Sequence, residues 1–176
     1  MRTEYLLERE VEQVLDLLTP ANRLVMRVLL HTGLRIGDAL ELRPQQLKPN
    51  FWITEQKTGK RRQVGLPESL LSDLKENAGK TWVFPGVNPS RNRTRQAVWK
   101  DVKRAAAAAR LTANAAPHSM RKVYAVQLLE KYGDIDRVRR ALNHSGVEVT
   151  LIYAVADKRL TAKGRRRRGK PGRKKA

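Results

Sequence analysis

Apolar positions recur at helical spacing from the start of the chain. Leu7, Val11, Val14, Leu15 and Leu18 share one face over residues 5–18, and Pro20 ends the run. NRLVMRVLLH, residues 22–31, is a second and more apolar stretch of the same period, stopped at Thr32-Gly33. IGDALEL, 36–42, predicts a short third helix that ends before Pro44. The period then changes. FWITEQ (51–56) and RQVGLP (62–67) are rich in β-branched or aromatic residues and flank the glycine-containing turn KTGKR, which predicts a β-hairpin. ESLLSDLKENAG (68–79) returns to helical spacing, and TWVFPG (81–86) predicts a third, short strand.

The second half reads as helical. Thr94 to Leu111 includes Ala105 to Ala109 and has high helix propensity. PHSMRKVYAVQLLEKYG (117–133) opens with a proline suited to a first helical turn and closes at Gly133. Asp134 is placed to cap DIDRVRRAL. The pattern predicts a mainly α fold with a small antiparallel β-sheet of about three strands.

LNHSGVEVTLIYAVAD (142–157) is ambiguous, because Val147, Val149, Leu151 and Tyr153 alternate as in a strand. A local signal favours a helix: Ser145 followed three residues later by Glu148 forms a capping box. In a helix, Val147, Leu151, Ala154 and Val155 share an apolar face from which Tyr153 falls away. A tyrosine serving only the core would sit on that face.

Charge narrows the function. Lys plus Arg number 37 against 17 Asp plus Glu, a net +20. So large an excess points to a polyanionic partner, most often nucleic acid. Eleven of the basic residues lie in 158–176, which has no acidic residue, leaving 26 basic against 17 acidic in residues 1–157. The body is therefore basic without its tail. The tail, of low complexity and with Arg165, Arg166, Arg167 and Arg168 in a row, is expected to be disordered when free and to contact DNA phosphates. With 176 residues the chain makes one ordinary domain, expected at 1–157 with the tail at 158–176. The absence of cysteine excludes disulfides and thiolate metal sites and fits a reducing compartment. No signal-peptide core or bilayer-length apolar run is present, so an intracellular, soluble protein without a membrane partner is expected.

Several polar residues are candidates for chemistry, each with a plain structural alternative. His118 and Arg121 are three apart at a helix start, where a phosphate is favoured, or they are ordinary surface residues. Arg35 stands at a helix start with Asp38 three residues on, the spacing of an ion pair. Lys57 sits where the first strand meets its turn and can reach into a cleft, though most hairpin lysines only keep an edge soluble. His144 could bond a ligand or cap a helix, and His31, inside an apolar run, is expected to pack.

Taken in order, HTGLRIGDALELR, QKTGKRRQVGLP, PHSMRKVYA and LNHSGVEVTLIY resemble the boxes of the tyrosine recombinases, the phage integrase family, over residues from about Asn22 to Tyr153. The resemblance implies that Arg35 is the first catalytic arginine, Lys57 the hairpin lysine, His118 and Arg121 the His-x-x-Arg pair, His144 the second histidine and Tyr153 the nucleophile. Asp38 corresponds to the acidic residue three positions after the first arginine. Asn143 replaces a glycine common before the second histidine, and Met120 a leucine common before the second arginine. Typical members carry a preceding helical core-binding domain that completes a clamp around DNA. Residues 1–21 are too few to form it, so that domain is expected to be absent, as in an excised catalytic domain or the small fimbrial-switch invertases.

The resemblance further implies site-specific cleavage and rejoining of double-stranded DNA through a 3′-phosphotyrosyl intermediate, with no cofactor and no metal. Arg35 and Arg121 would hold the phosphate, since a guanidinium stays charged and donates paired hydrogen bonds. Lys57, near other cations, would serve as general acid. His118 would accept the tyrosine proton or orient the phosphate, and His144 would donate to a non-bridging oxygen. Lys60 and Arg61 on the hairpin would touch DNA. A homotetramer on paired sites, monomeric in solution and with accessory DNA-bending proteins as possible partners, is implied, as is a cytoplasmic, nucleoid-associated protein of prokaryotic or phage origin. A type IB topoisomerase-like enzyme and a non-catalytic, basic DNA-binding protein derived from an integrase remain the alternatives.

Overall fold

The computed structural model describes residues 3–142, a mainly helical arrangement with one β-hairpin. Helices α1 (Glu8–Leu17), α2 (Pro20–Thr32) and α3 (Ile36–Leu40) are followed by a single 3₁₀ turn, Pro44–Gln46. Strands β1 (Asn50–Thr54) and β2 (Arg61–Gly65) come next, then α4 (Glu68–Asn77), α5 (Arg95–Ala108), α6 (Pro117–Tyr132) and α7 (Ile135–Leu142). Helix α2 is central, packed against α1, α3, α4, α5, α6 and β2. Its Val25, Met26, Val28 and Leu29 are all buried, as their spacing requires of a helix surrounded by others. His31, on the remaining face, is exposed and does not pack as expected.

Helix ends follow local chemistry. Thr94 Oγ1 accepts the Ala97 N–H at 3.1 Å and starts α5. Pro117 opens α6, and Gly133, at φ +66°, closes it with its N–H on the Leu129 carbonyl. Asp134 Oδ1 accepts from the Asp136 and Arg137 amides at 2.8 and 3.1 Å, the cap read from the sequence. The start of α2 is tied to α5 by Asp101, whose Oδ2 accepts from Thr19 N, Thr19 Oγ1 and Asn22 Nδ2. Its Oδ1 takes Arg104 at 2.6 Å. Burial raises the Asp101 carboxyl, but these donors outweigh it and hold it at about 2.

The hairpin is antiparallel, pairing Phe51 with Val64 and Ile53 with Arg62 on the buried face, and Trp52 with Gln63 and Thr54 with Arg61 on the exposed face. Its loop closes through the Glu55 N–H on the Lys60 carbonyl, with Gly59 at φ +65°. The third strand expected at TWVFPG does not form among the described residues, where the sheet has two strands. Val83 donates its N–H to Leu42, Phe84 accepts from Arg93, and Pro85, which has no N–H, makes only an isolated bridge to Asn92. The segment instead buries Val83 and Phe84, tied by the Val83 N–H to Leu42 just after α3. Helix α7 packs on the second half of α6 through its own cluster of Ala125, Val126, Leu129, Val138 and Leu142. No helix among the described residues is long and apolar enough to cross a membrane.

Candidate active site

Chain reversal after α2 places Arg35. Gly33 adopts φ +62° and donates its N–H to Leu29 O at 2.9 Å, a left-handed helix stop. A Cβ there would run into the Tyr124 ring and come within 2.8 Å of Leu142 Cδ2, so glycine is required by space as well as by backbone. Leu34 is buried, and Arg35 follows as the extended N-cap residue of α3, φ −73° and ψ 149°.

That extended backbone alters the pairing expected for Arg35. The i,i+3 ion-pair spacing is that of two residues both within a helix, and Arg35 lies just outside it with an extended backbone. Its Nη1 instead reaches Glu55 Oε2 at 2.5 Å, across to the end of β1. Asp38, buried at 8% exposure, accepts the Gln56 backbone N–H at 3.0 Å. It thus fixes the residue before Lys57 rather than the arginine. Lys57 is exposed in the hairpin loop.

Glu55 and Arg62, which carried no assignment from the sequence, are central to this geometry. Glu55 is wholly buried, with Oε2 also accepting Thr58 Oγ1 at 3.0 Å and Oε1 lying 3.2 Å from Arg62 Nε. The second contact is an ion pair by distance without hydrogen-bond alignment. Burial alone would raise the Glu55 carboxyl; Arg35, Thr58 and Arg62 outweigh it and hold it below the usual carboxylate range. Strand alternation carries the missing signal: Phe51, Ile53 and Glu55 share the buried register of β1, and Arg62 and Val64 that of β2. A charge on each inward register, at facing ends, implies a buried pair.

Arg121, in the first turns of α6, is 2% exposed. Its Nη1 donates to the Gly33 carbonyl and its Nη2 to the Leu142 carbonyl at 2.6 Å. The first contact brings Arg121 to the backbone two residues before Arg35. Met120 beside it is fully buried, filling core space as a leucine would. His118 is half-buried in the first turn of the same helix. Tyr124, one turn along from Arg121, lies over Gly33. Burial raises its phenol above the ordinary value despite the opposing charges of Arg62 and Arg121.

Arg35, Asp38 and Arg121 are therefore gathered around the ends of α2 and β1, with Lys57 on the adjoining loop and His118 one turn before Arg121. Lys60 and Arg61 are exposed on the hairpin, and the Arg61 guanidinium stands 5.4 Å from the centre of the exposed Trp52 ring. A groove of about 570 Å³ runs between α3 and this face, lined in part by Asp38, Glu41, Gln56 and Arg61. His144, Tyr153, the Ser145–Glu148 capping box and Arg165 to Arg168 lie outside the described residues.

Comparison with known proteins places this arrangement. The family profile described as the phage integrase family matches residues 4–159. The Bacillus subtilis (strain 168) protein named "Probable integrase/recombinase YoeC" is 31% identical over 141 residues, which cover 75% of this chain and 76% of that one. Tyrosine recombinase XerD of Rhizobium meliloti (strain 1021) is 30% identical over 148 residues, 77% of this chain and 48% of its own length. Among solved structures, the XerH site-specific recombinase bound to difH substrate in a pre-cleavage complex superposes with a TM-score of 0.68 at 25% identity, covering 85% of this chain and 49% of that one. The chain thus spans most of one relative and about half of the others.

Proposed function

This chain belongs to the phage integrase family, and on that premise we propose that it is a site-specific recombinase that cleaves and rejoins double-stranded DNA through Tyr153. The observation that carries the reading is the anchoring of Arg121 on the Gly33 carbonyl, two residues before Arg35. It gathers two arginines far apart in sequence at one corner of the fold, a pairing suited to adjacent oxygens of one phosphate. XerH, a site-specific recombinase similar in fold, is held with its difH substrate in a pre-cleavage complex, which supports a cleavable recombination site as the partner.

In the proposed reaction the Tyr153 oxygen attacks the scissile phosphorus, its proton passing to His118. Arg35, Arg121 and His144 stabilise the charge that grows on the non-bridging oxygens. The bond to the 5′ oxygen breaks, and that oxygen takes a proton from Lys57. A 3′-phosphotyrosyl link and a 5′-hydroxyl result. The link keeps the phosphodiester energy, so a 5′-hydroxyl from another strand reseals it by the reverse steps. Asp38 supports the reaction by holding the Gln56 amide and hence the base of the Lys57 loop. Lys60, Arg61 and the basic tail add phosphate contacts, and exchange between two sites implies four copies on paired DNA.

The test is covalent trapping. The full chain is incubated with a random-sequence duplex pool carrying nicks, and adducts stable in denaturant are selected and sequenced. A Tyr153-dependent adduct on a defined sequence is expected, lost in Tyr153→Phe and kept in Tyr132→Phe. DNA binding without any adduct would sink the enzymatic reading in favour of a binding protein. Arg35→Ala should slow adduct formation on the order of a hundred- to a thousandfold, the usual cost of one preorganised donor.

A further inference from the structure

Arg62 stands where three elements meet, and the reaction outlined above makes no use of it. Its side chain is 8% exposed, on the buried register of β2 opposite Ile53. Nε faces Glu55 Oε1 at 3.2 Å, Nη2 donates to the Thr32 carbonyl at 3.1 Å at the end of α2, and Nη1 donates to the Ala141 carbonyl in the last turn of α7. An inward strand position beside isoleucine would ordinarily hold an apolar side chain, and a buried ion pair is weak evidence of added stability. Its partners show what the charge does instead.

Resting on the function proposed above, we propose that Arg62 is a positioning residue that sets the chain leading to His144 and Tyr153 against Arg35, with Glu55 as the intermediary. Glu55 uses one oxygen for Arg35 and the other for Arg62, so the two guanidinium groups share one buried anion. A guanidinium is planar and rigid. Anchoring both Nη atoms of Arg62 on the Thr32 and Ala141 carbonyls therefore fixes the direction from which its Nε meets Glu55. Ala141 precedes His144 by three residues and Tyr153 by twelve.

Arg121 repeats the device one residue further along each element, on Gly33 and Leu142. Two arginines from different elements thus hold consecutive carbonyls at the end of α2 and at the end of α7. This joins the last turn of α7 to the backbone that presents Arg35. Helix α7 otherwise rests on α6 through the separate cluster around Val138 and Leu142, away from the main core. Apart from the two arginines, apolar contacts with α6 and of Leu142 with Gly33 locate its end among the described residues. In-line attack depends on this spacing, because a misplacement of about 1 Å at a reacting centre can cost on the order of a hundredfold in rate.

The experiment uses the full chain and the sequence that wild type selects from the nicked duplex pool, measuring DNA affinity, thermal stability and the rate of Tyr153 adduct formation separately. Arg62→Gln is expected to slow adduct formation by about a hundredfold with DNA affinity unchanged. The double variant Glu55→Gln/Arg62→Gln removes both buried charges and should regain thermal stability without regaining the rate. Arg62→Lys, which keeps a cation beside Glu55 but replaces the rigid planar fork with a point charge on a flexible stem, should also be slow. If Arg62→Gln fails to fold, these two variants carry the test. Recovery of rate together with stability in the double variant, or a wild-type rate in Arg62→Lys, would reduce Arg62 to a purely structural residue and overturn the inference. Absence of an adduct with wild type overturns the underlying function first, and with it this inference.

Discussion

Glu55, wholly buried at the end of β1, holds Arg35 at 2.5 Å across twenty residues of sequence. The carboxylate is needed there by two cations at once, Arg35 and Arg62, and replaces Asp38 as the partner of the arginine at the start of α3. Its burial and its donors act in opposite directions on the proton, and the donors win.

Removing that anion should be costly. Glu55→Ala leaves the buried Arg62 without its counter-charge and is expected to destabilise the fold by about 3–5 kcal/mol. Urea unfolding of the two proteins measures the difference; a loss no larger than that of an exposed substitution would mean that the pair is solvated.

Gly33 is a second sensitive position, because φ +62° disfavours any side chain and a Cβ would meet the Tyr124 ring and Leu142. Gly33→Ala should lose about 1–2 kcal/mol for the backbone and about 1–3 kcal/mol for overpacking. Since Arg121 is anchored on the Gly33 carbonyl, adduct formation should slow as well. Thermal melts and the trapping assay read the two effects, and a melt unchanged from wild type would contradict the steric argument.

Asp101 makes stability depend on pH in acid. Its folded value, about 2, lies below the ordinary 3.8. Its contribution is therefore complete above about pH 4 to 5, and is lost as pH falls toward 2. The shift corresponds to about 2 kcal/mol. Asp101→Asn should be less stable than wild type by about that amount at neutral pH, with the gap narrowing as the solution is acidified through this window. A gap constant from pH 6 to pH 2.5 would show that the hydrogen bonds do not depend on the charge.

The tail can be tested without its structure. A chain ending at Asp157 lacks eleven basic residues. If these neutralise phosphates, the decline of DNA affinity with salt becomes shallower, by about 0.9 in log–log slope for each phosphate no longer neutralised. Titrations at several salt concentrations give the slope, and equal slopes for the two chains would remove the tail from the interface.

Much of the fold is legible along the chain. Pro20, Gly33, Pro117, Gly133 and Asp134 are boundaries whose backbone preferences act within a few residues, and the helices begin and end beside them. The hairpin is legible because its turn glycine and alternating strands are local too. The strand expected at TWVFPG does not form: Val83 and Phe84 are buried as their types signal, but their backbone groups bond to Leu42 and Arg93 outside the hairpin sheet.

For the proposed site, the sequence supplied the candidate residue types and their order: Arg35, Lys57, His118 and Arg121 among the described residues, with His144 and Tyr153 beyond them. Helical spacing suggested Asp38 as the partner of Arg35. Tertiary structure decided otherwise, because the extended backbone at Arg35 turns its side chain toward the hairpin, where Glu55 waits. It also gave Arg62 and Arg121 their matching holds on the ends of α2 and α7. Local periodicity governs where helices and strands form, since those interactions span a few residues. Which buried charge meets which carbonyl depends on packing between elements distant along the chain, and only the assembled fold fixes that distance.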